Sequence, residues 1–182
     1  NAEIFRGFDI LTKGNTLHDW LKVSTGPYNT FIIKNNGTLW AMGDGRYGLL
    51  GNGSTTTINP TLQQIGTATN WQKISASSDM TIGLKTDGSL WSWGKNVPGN
   101  LGIVSGNYSF STPQRIGSAT NWTELSTNYT GTIALKSDGT MWAWGNNSNG
   151  NLGFNPSSTS TLTVPTQITF LNSIRSIASY FN

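Results

Sequence analysis

Apolar and turn-forming residues recur along this chain with a fixed period of 51 positions. Two tryptophans and a pair of glycines mark the period in each copy: Trp20, Trp71 and Trp122; Trp40, Trp91 and Trp142; Gly48/Gly51, Gly99/Gly102 and Gly150/Gly153. A period of this size is typical of repeat architectures, in which each copy is one supersecondary unit. The chain is therefore predicted to contain about three tandem copies.

Each copy shows the same order of local patterns. In the second copy these are an apolar segment at 71–75, a hairpin at 81–94, a glycine turn at 99–102 and a variable polar loop. The hairpin centres are Asn36-Gly37, Asp87-Gly88 and Asp138-Gly139. Such dipeptides tolerate the positive φ angles of a two-residue type I′ turn. We therefore expect strands, and the pattern leaves no long amphipathic helix.

A two-residue turn would fix the strand register of every hairpin. It places Leu84 opposite Trp91 and Ile82 opposite Trp93, which gives one bulky apolar face, while Gly83 lies on a face of small residues. The equivalent pairs are Ile33 with Trp40, Phe31 with Met42, Leu135 with Trp142, and Ile133 with Trp144. Large side chains of one sheet would then fill the shallow face of the next.

Units that cannot bury an apolar face alone must stack on their neighbours, and four-stranded sheets packed around an axis form a β-propeller. All eight tryptophans occupy three repeat positions, the third being that of Met42, Trp93 and Trp144. The tryptophans are therefore interpreted as core residues and not as a ligand cage.

Two strings resemble the repeat of the regulator of chromosome condensation family: IGLKTDGSLWSWGKNVPGNLG at 82–102 and IALKSDGTMWAWGNNSNGNLG at 133–153. The string FIIKNNGTLWAMGDGRYGLLG at 31–51 is a looser match. The resemblance implies an all-β chain that forms a β-propeller segment of about three four-stranded blades, with partial blades at both ends. It also implies a parent propeller that is typically seven-bladed.

The repeat boundaries divide the chain into five parts. Complete blades are predicted at 20–70, 71–121 and 122–173; residues 1–19 would end a preceding blade, and 174–182 would start a further one. Because an open arc exposes strand edges and apolar faces, we expect a segment of a longer polypeptide or one that partners complete.

Composition adds little chemistry to this picture. Only 10% of residues are charged, the net charge is +3 and the basic residues are scattered, so nucleic acid is an improbable partner. The chain has no cysteine for disulfides or thiolate metal sites, and no apolar run approaches the length that inserts into a bilayer.

No catalytic, metal-binding or cofactor-binding residue is predicted. His18 is the only histidine, and it lies in a predicted loop. Asp87 and Asp138 precede glycine in equivalent turns, so we interpret them as turn formers. The recurring lysines Lys34, Lys85 and Lys136 are expected at solvated blade edges.

These patterns predict a non-enzymatic module for protein interaction. Its partners would be other blades, assembly subunits or a host-surface receptor, and its parent an extracellular, cell-surface or virion protein, because charge is low and the loops are rich in Thr, Ser and Asn. The loops after each glycine pair vary most, so Tyr108, Phe110 and Phe154 are the candidate binding residues, with packing on their own blades left open. The alternatives are a guanine nucleotide exchange factor for a small GTPase, as the resemblance implies, or a propeller-type enzyme inhibitor.

Overall fold

The computed structural model describes residues 20–55, 58–97, 99–170 and 174–177. Its strands follow the 51-residue period. They are β1 (Trp20–Thr25), β2 (Asn29–Lys34), β3 (Leu39–Asp44), β4 (Ile58–Gln64), β5 (Trp71–Ala76), β6 (Met80–Lys85), β7 (Leu90–Lys95), β8 (Ser109–Arg115), β9 (Trp122–Thr127), β10 (Gly131–Lys136), β11 (Met141–Asn146) and β12 (Thr161–Gln167). The partial blades predicted at 1–19 and 174–182 lie outside the described residues, except for 174–177, which form no strand.

Each run of four consecutive strands forms one antiparallel sheet. The orders are β1-β2-β3-β4, β5-β6-β7-β8 and β9-β10-β11-β12, so neighbouring strands in the chain are neighbours in space. The predicted all-β fold of three four-stranded blades is confirmed. Because the connections alternate between the two ends of each sheet, strands one and two are joined at the same end as strands three and four.

The register predicted for the central hairpins is wrong by one residue. Leu84 pairs with Leu90, Gly83 with Trp91 and Thr81 with Trp93, and the other two hairpins show the same shift. The loop contains three residues: Lys85 donates its backbone N–H to the carbonyl of Ser89, and the glycine ends the turn with a φ of 74°. An Asp-Gly pair suits this turn as well as a type I′ turn.

The shift changes which residues share a face. In the second sheet Ile82, Leu84 and Leu90 face the third sheet, and Gly83 shares the opposite face with Trp91 and Trp93. A Cβ atom at Gly83 would lie 2.4 Å from Cζ3 of Trp71, so the missing side chain makes room for an indole. In this sheet Trp71 therefore packs over the glycine of its own sheet.

The first two sheets pack through Trp93 and the glycine turn of the first. The ring of Trp93 meets Phe31 of the first sheet edge-on, with 6.0 Å between centroids. Its Nε1–H donates to the backbone carbonyl of Leu49 at 2.9 Å, and the Thr81 hydroxyl donates to the same oxygen at 3.1 Å. A Cβ at Gly51 would lie 2.9 Å from Trp93 Nε1. The glycine turn is thus a cradle for the indole of the next sheet.

The junction between the second and third sheets repeats this shape with a different polar pattern. Trp144 fills the cradle at Gly102, where a Cβ would lie 2.8 Å from its Nε1. Here Trp144 Nε1, Thr132 Oγ1 and Asn100 Oδ1 are buried and have no hydrogen-bond partner among the residues that the structure describes. Asn100 occupies the repeat position of Leu49 and is 2% exposed. The two junctions are therefore alike in packing and unlike in hydrogen bonding.

Candidate interaction face

The loops at one end of the three sheets carry every tyrosine among the described residues. Tyr28 and Tyr129 lie in turns between the first two strands of a sheet, and Tyr47 and Tyr108 lie in loops between the last two. Their exposed fractions run from 43% to 58%. We call this end the tyrosine face, and it is defined by these four residues. Tyrosine is enriched in the residues that dominate binding energy at protein interfaces.

Tyr47 and Tyr108 form the centre of this face, because they join the first two blades. Their rings contact edge to face with centroids 5.9 Å apart. Lys95 Nζ lies 5.4 Å from the centroid of Tyr47 and 5.9 Å from that of Tyr108. Asp79 binds the same ammonium at 3.2 Å. The cluster is thus an aromatic pair held by a cation, with the cation held by a carboxylate.

Asp79 keeps the Lys95 side chain of this cluster positively charged. Although partial burial opposes it, the hydrogen bond and charge of Asp79 raise the pKa of Lys95 above its ordinary value. Lys95 is therefore positively charged at neutral pH. Its backbone N–H donates to the Asp79 carbonyl at 2.7 Å, which ties the end of β7 to the neighbouring turn.

Tyr47 has the only non-glycine positive φ among the described residues, at 56°. It sits inside a short 3-10 turn, Arg46–Gly48, that contacts β7 and β8 of the second sheet. A bulky residue in the left-handed region costs on the order of 1 kcal/mol or more, and such residues concentrate at functional sites. The strain holds the Tyr47 ring beside Tyr108 and out of the core.

Arg46 adds a second ion pair beside Tyr47. Its Nε donates to both carboxylate oxygens of Asp44, at 3.1 and 2.8 Å, and its Nη2 donates to Oδ2 at 2.6 Å. The hydrogen bonds from Arg46 hold the pKa of Asp44 below its usual range. The arginine side chain is 55% exposed, so it remains available at the surface although its charge is paired. The face is therefore polar but electrically balanced.

The structure separates the three predicted binding residues. Tyr108 lies on the tyrosine face and is 53% exposed. Phe110 is the second residue of β8, pairs with Gly94 and packs against the core, half-buried. Phe154 also packs against the core half-buried, and its carbonyl accepts a hydrogen bond from Asn147 at 3.0 Å. The structure brings the ring of Tyr108 together with that of Tyr47, whereas both phenylalanines pack against the core.

Sequence reasoning missed Tyr47, although one signal could have located it. The position lies directly before the glycine turn, which repeats closely, yet it holds Tyr47, Pro98 and Asn149 in the three copies. A residue that departs from the repeat beside a repeated turn is free of the packing demand that fixes its neighbours. That departure marks a position worth testing for binding.

The opposite end of the sheets carries the recurring lysines, which are not simply solvated. Lys85 Nζ lies 4.8 Å from the ring centroid of Trp71 and 4.1 Å from that of Trp91. Lys34 and Lys136 occupy the same place between two indoles of their own sheets. Burial lowers the pKa of Lys85. The expectation of solvated lysines at the blade edges is therefore corrected, since each is half-buried against aromatic rings.

The hairpin carboxylates beside these lysines act as the predicted turn formers. Asp87 Oδ1 accepts from the backbone N–H and the hydroxyl of Ser89 at 3.0 and 2.6 Å, and Trp91 Nε1 donates to that hydroxyl at 2.9 Å. The third hairpin repeats the arrangement with Asp138, and the first repeats it with Asn36. These hydrogen bonds lower the pKa of both carboxyl groups.

Within the described ranges, no group of three or more His, Cys, Asp or Glu could hold a metal ion. In the same part of the chain, no helix is long and apolar enough to cross a membrane.

Three stacked four-stranded sheets, each packed through its glycine turn against the next, define a β-propeller repeat protein. The family model described as the regulator of chromosome condensation (RCC1) repeat matches residues 36–84 and 138–179, which is half of the chain, and a second model of the same repeat matches 20–49, 71–99 and 122–151. The chain belongs to the RCC1 repeat family, and the resemblance stated from its sequence is confirmed.

Curated relatives share part of the chain at moderate identity. The human probable E3 ubiquitin-protein ligase HERC6 is 31% identical over 134 residues, covering 71% of this chain and 13% of the relative. The ultraviolet-B receptor UVR8 of Arabidopsis thaliana is 28% identical over 137 residues, covering 74% of this chain and 31% of the receptor. The chain thus spans less than a third of the length of either relative.

Solved structures agree on the fold. Human WBSCR16 superimposes with a TM-score of 0.75 at 21% identity, covering 85% of this chain and 39% of that one. Prp20p of Saccharomyces cerevisiae, whose structure was described with its binding properties to Gsp1p and histones, gives a TM-score of 0.75 at 17% identity, covering 83% and 38%. These similarities show a propeller fold.

Proposed function

We propose that this chain is a non-catalytic protein-interaction module that binds its partner through the tyrosine face. The observation that carries the proposal is the exposed pair Tyr47 and Tyr108, held in one arrangement by Lys95 and by the left-handed backbone of Tyr47. Rigid aromatic side chains contribute contact area at low entropic cost, which is why they dominate binding surfaces.

The loops around the pair support protein binding further. The segment 103–108 reads Ile-Val-Ser-Gly-Asn-Tyr, and the segment 155–160 reads Asn-Pro-Ser-Ser-Thr-Ser. Tyr, Ser, Gly and Asn are the residues that antibody loops use for adaptable contacts. Val97 and Val104 are 44% and 77% exposed in the same loop region, which adds apolar area beside Tyr108. Aromatic anchors ringed by small polar residues favour a folded protein surface as the partner.

The parent protein is proposed to be a secreted, cell-surface or virion structural or receptor-binding protein, and the partner a host-surface receptor or an assembly subunit. The support is the low charge of the chain and its polar, Thr/Ser/Asn-rich loops. A nucleotide exchange activity is the competing proposal, supported by the likeness to Prp20p, whose structure was described with binding to Gsp1p. The fold and the tyrosine face fit a protein partner under either proposal, and the low charge and polar loops favour the first.

The test combines partner capture with paired variants. The chain is immobilised and exposed to surface extracts, and each captured protein is identified, purified and measured against the wild-type chain and the double variant Tyr47→Ala/Tyr108→Ala. The double variant is expected to weaken binding at least about a hundredfold, because two interface anchors are each worth about 2 kcal/mol or more. Val164→Ala is the matched control, since Val164 is also 43% exposed but lies in β12.

The melting temperature of the double variant separates a loss of binding from a loss of folding. Unchanged melting temperature with lost affinity supports the tyrosine face, whereas unchanged affinity of the double variant refutes it. Accelerated release of labelled GDP from a small GTPase would favour the competing proposal.

A further inference from the structure

The first strands of the three sheets converge, and one row of equivalent positions along them is charged. β1 contacts β5 and β5 contacts β9, so positions 22, 73 and 124 follow one another across the two junctions. They hold Lys22, Lys73 and Glu124. At the second junction Lys73 forms an ion pair with Glu124. At the first junction the row places two lysines in succession.

Among the residues that the structure describes, Lys22 therefore has no carboxylate partner at this junction. Its Nζ donates instead to the backbone carbonyl of Gln72 at 2.9 Å, which holds the ammonium across the gap between the first two sheets. Two ammonium groups and one carboxylate leave the first junction with a net positive charge. A bound anion between Lys22 and Lys73 would place a negative charge between the two ammonium groups, as Glu124 places one beside Lys73 at the second junction.

A side-chain hydrogen bond joins the two sheets at the second junction, and the residues at the first junction cannot form it. At the second, Ser75 Oγ hydrogen-bonds to Thr127 Oγ1 at 2.7 Å and accepts from the Thr127 N–H at 3.0 Å. The equivalent residues at the first are Ser24 and Ala76, and alanine has no hydroxyl with which to form the side-chain bond. A cavity of about 420 Å³ occupies the first junction. It is lined by Lys22, Val23, Ser24, Phe31, Ile33, Lys73, Ile74 and Glu124.

From this geometry we infer that the first junction binds a carboxylate carried on an apolar stem. The ammonium of Lys22 and the hydroxyl of Ser24 hold the carboxylate, and Phe31, Ile33 and Ile74 contact the stem. The carboxylate suits an ammonium and a hydroxyl donor, whereas the apolar walls disfavour a fully hydrated ion. The site is separate from the tyrosine face and does not depend on the protein partner proposed above.

Octanoate is the probe, and its affinity is measured by isothermal titration calorimetry on the whole chain. Octan-1-ol, which has the same stem without the charge, is expected to bind at least about tenfold more weakly, the loss of one charge-assisted interaction. Lys22→Met is expected to weaken octanoate binding about tenfold by the same reasoning. Arg175→Met removes the same charge from an exposed residue outside the cavity and is the matched control.

A second variant tests the shape of the site without changing its charge. Ala76→Thr restores the residue that closes the second junction, so it is expected to form the bond with Ser24 and to abolish octanoate binding while keeping the melting temperature. Equal affinities for octanoate and octanol, or octanoate binding that survives both Lys22→Met and Ala76→Thr, would overturn the inference.

Two further arms identify the source of the carboxylate and separate this site from the tyrosine face. A short peptide with one glutamate between leucines presents the same chemistry as a partner's side chain. If octanoate binds, the carboxylate is that of a free small molecule. If only the peptide binds, and Lys22→Met abolishes that binding, the carboxylate belongs to a partner protein. The Tyr47→Ala/Tyr108→Ala variant is expected to bind octanoate with unchanged affinity.

Discussion

The two sheet junctions give the chain an internal comparison for the value of one buried hydrogen bond. Trp93 and Trp144 occupy equivalent cradles and are both fully buried. Trp93 Nε1 donates to the Leu49 carbonyl at 2.9 Å, whereas Trp144 Nε1 has no hydrogen-bond partner among the described residues. Replacing each tryptophan in turn with phenylalanine removes nearly the same volume from each junction but a hydrogen bond from only one.

The expected difference follows from these contacts. Trp93→Phe loses a bond worth about 0.5–1.5 kcal/mol, and the Leu49 carbonyl keeps its bond from Thr81, so no acceptor is orphaned. Trp144→Phe removes an unpaired N–H, whose burial costs about 1–3 kcal/mol. The cavity cost is shared, because both sites lose the same indole atoms. Trp93→Phe is therefore expected to be more destabilising than Trp144→Phe by about 1.5–4.5 kcal/mol, the sum of the two effects.

Urea denaturation followed by circular dichroism measures this difference. The free energies of unfolding are compared only if the two variants share one denaturant slope, because stacked repeats can unfold in steps. Phenylalanine at position 93 keeps an aromatic ring near Phe31, so loss of that edge contact does not dominate the comparison. Equal destabilisation, or a larger loss for Trp144→Phe, would refute the assigned role of the indole N–H.

Three further predictions concern turns and buried polar atoms. Asp87→Asn with Asp138→Asn is expected to flatten the pH dependence of stability, because hydrogen bonds lower both carboxyl pKa values in the folded state. The stabilisation by these carboxylates is present above about pH 4 and is lost as the pH falls further. Urea denaturation from pH 2 to 6 measures the difference from the wild-type chain. Gly88→Ala is expected to cost at least about 2 kcal/mol more than Gly117→Ala, since both glycines have positive φ but only a Cβ at 88 meets a backbone carbonyl oxygen, at 2.1 Å; similar melting temperatures would contradict this. Asn100→Leu introduces the residue of the first sheet at that position and is expected to stabilise the chain by about 1 kcal/mol or more, because a buried unpaired oxygen is removed; a lower denaturation midpoint would argue against it.

Repetition made the sheets predictable, but not the register of their hairpins. The period located the first strand, the hairpin and the glycine turn of each copy, because the same glycines and tryptophans recur there. The fourth strand of each sheet begins inside the segment that was expected to be a variable loop. An Asp-Gly pair fits both a two-residue and a three-residue loop, and the choice depends on local hydrogen bonds. Here Asp87 accepts from the N–H and hydroxyl of Ser89, which stabilises the longer loop and moves every side chain beyond it to the other face.

The wrong hairpin register also explains the wrong expectation that the recurring lysines lie at solvated blade edges. With the predicted pairing, Lys85 would point away from Trp91, so a solvated edge was the natural expectation. The observed pairing puts Lys85 on the face of Trp71 and Trp91, with its ammonium over both rings. Tyr47 was missed for a different reason: its exposure and its contact with Tyr108 arise from a strained turn that crosses to the next blade, which no periodic pattern describes.

Departures from the repeat carry information that the repeat itself does not. A position where three blades carry the same residue is explained by packing, since each copy must fold the same way. The fold does not require tyrosine at position 47, because the equivalent positions of the other two copies hold Pro98 and Asn149. Ala76 likewise leaves open a junction that Thr127 closes in the next copy. Tyr47 lies beside Lys95, and Ala76 lies in β5, which contacts β1 at the junction whose cavity Lys22 lines. We therefore predict that these two positions, and not the repeated ones, affect binding when they are substituted.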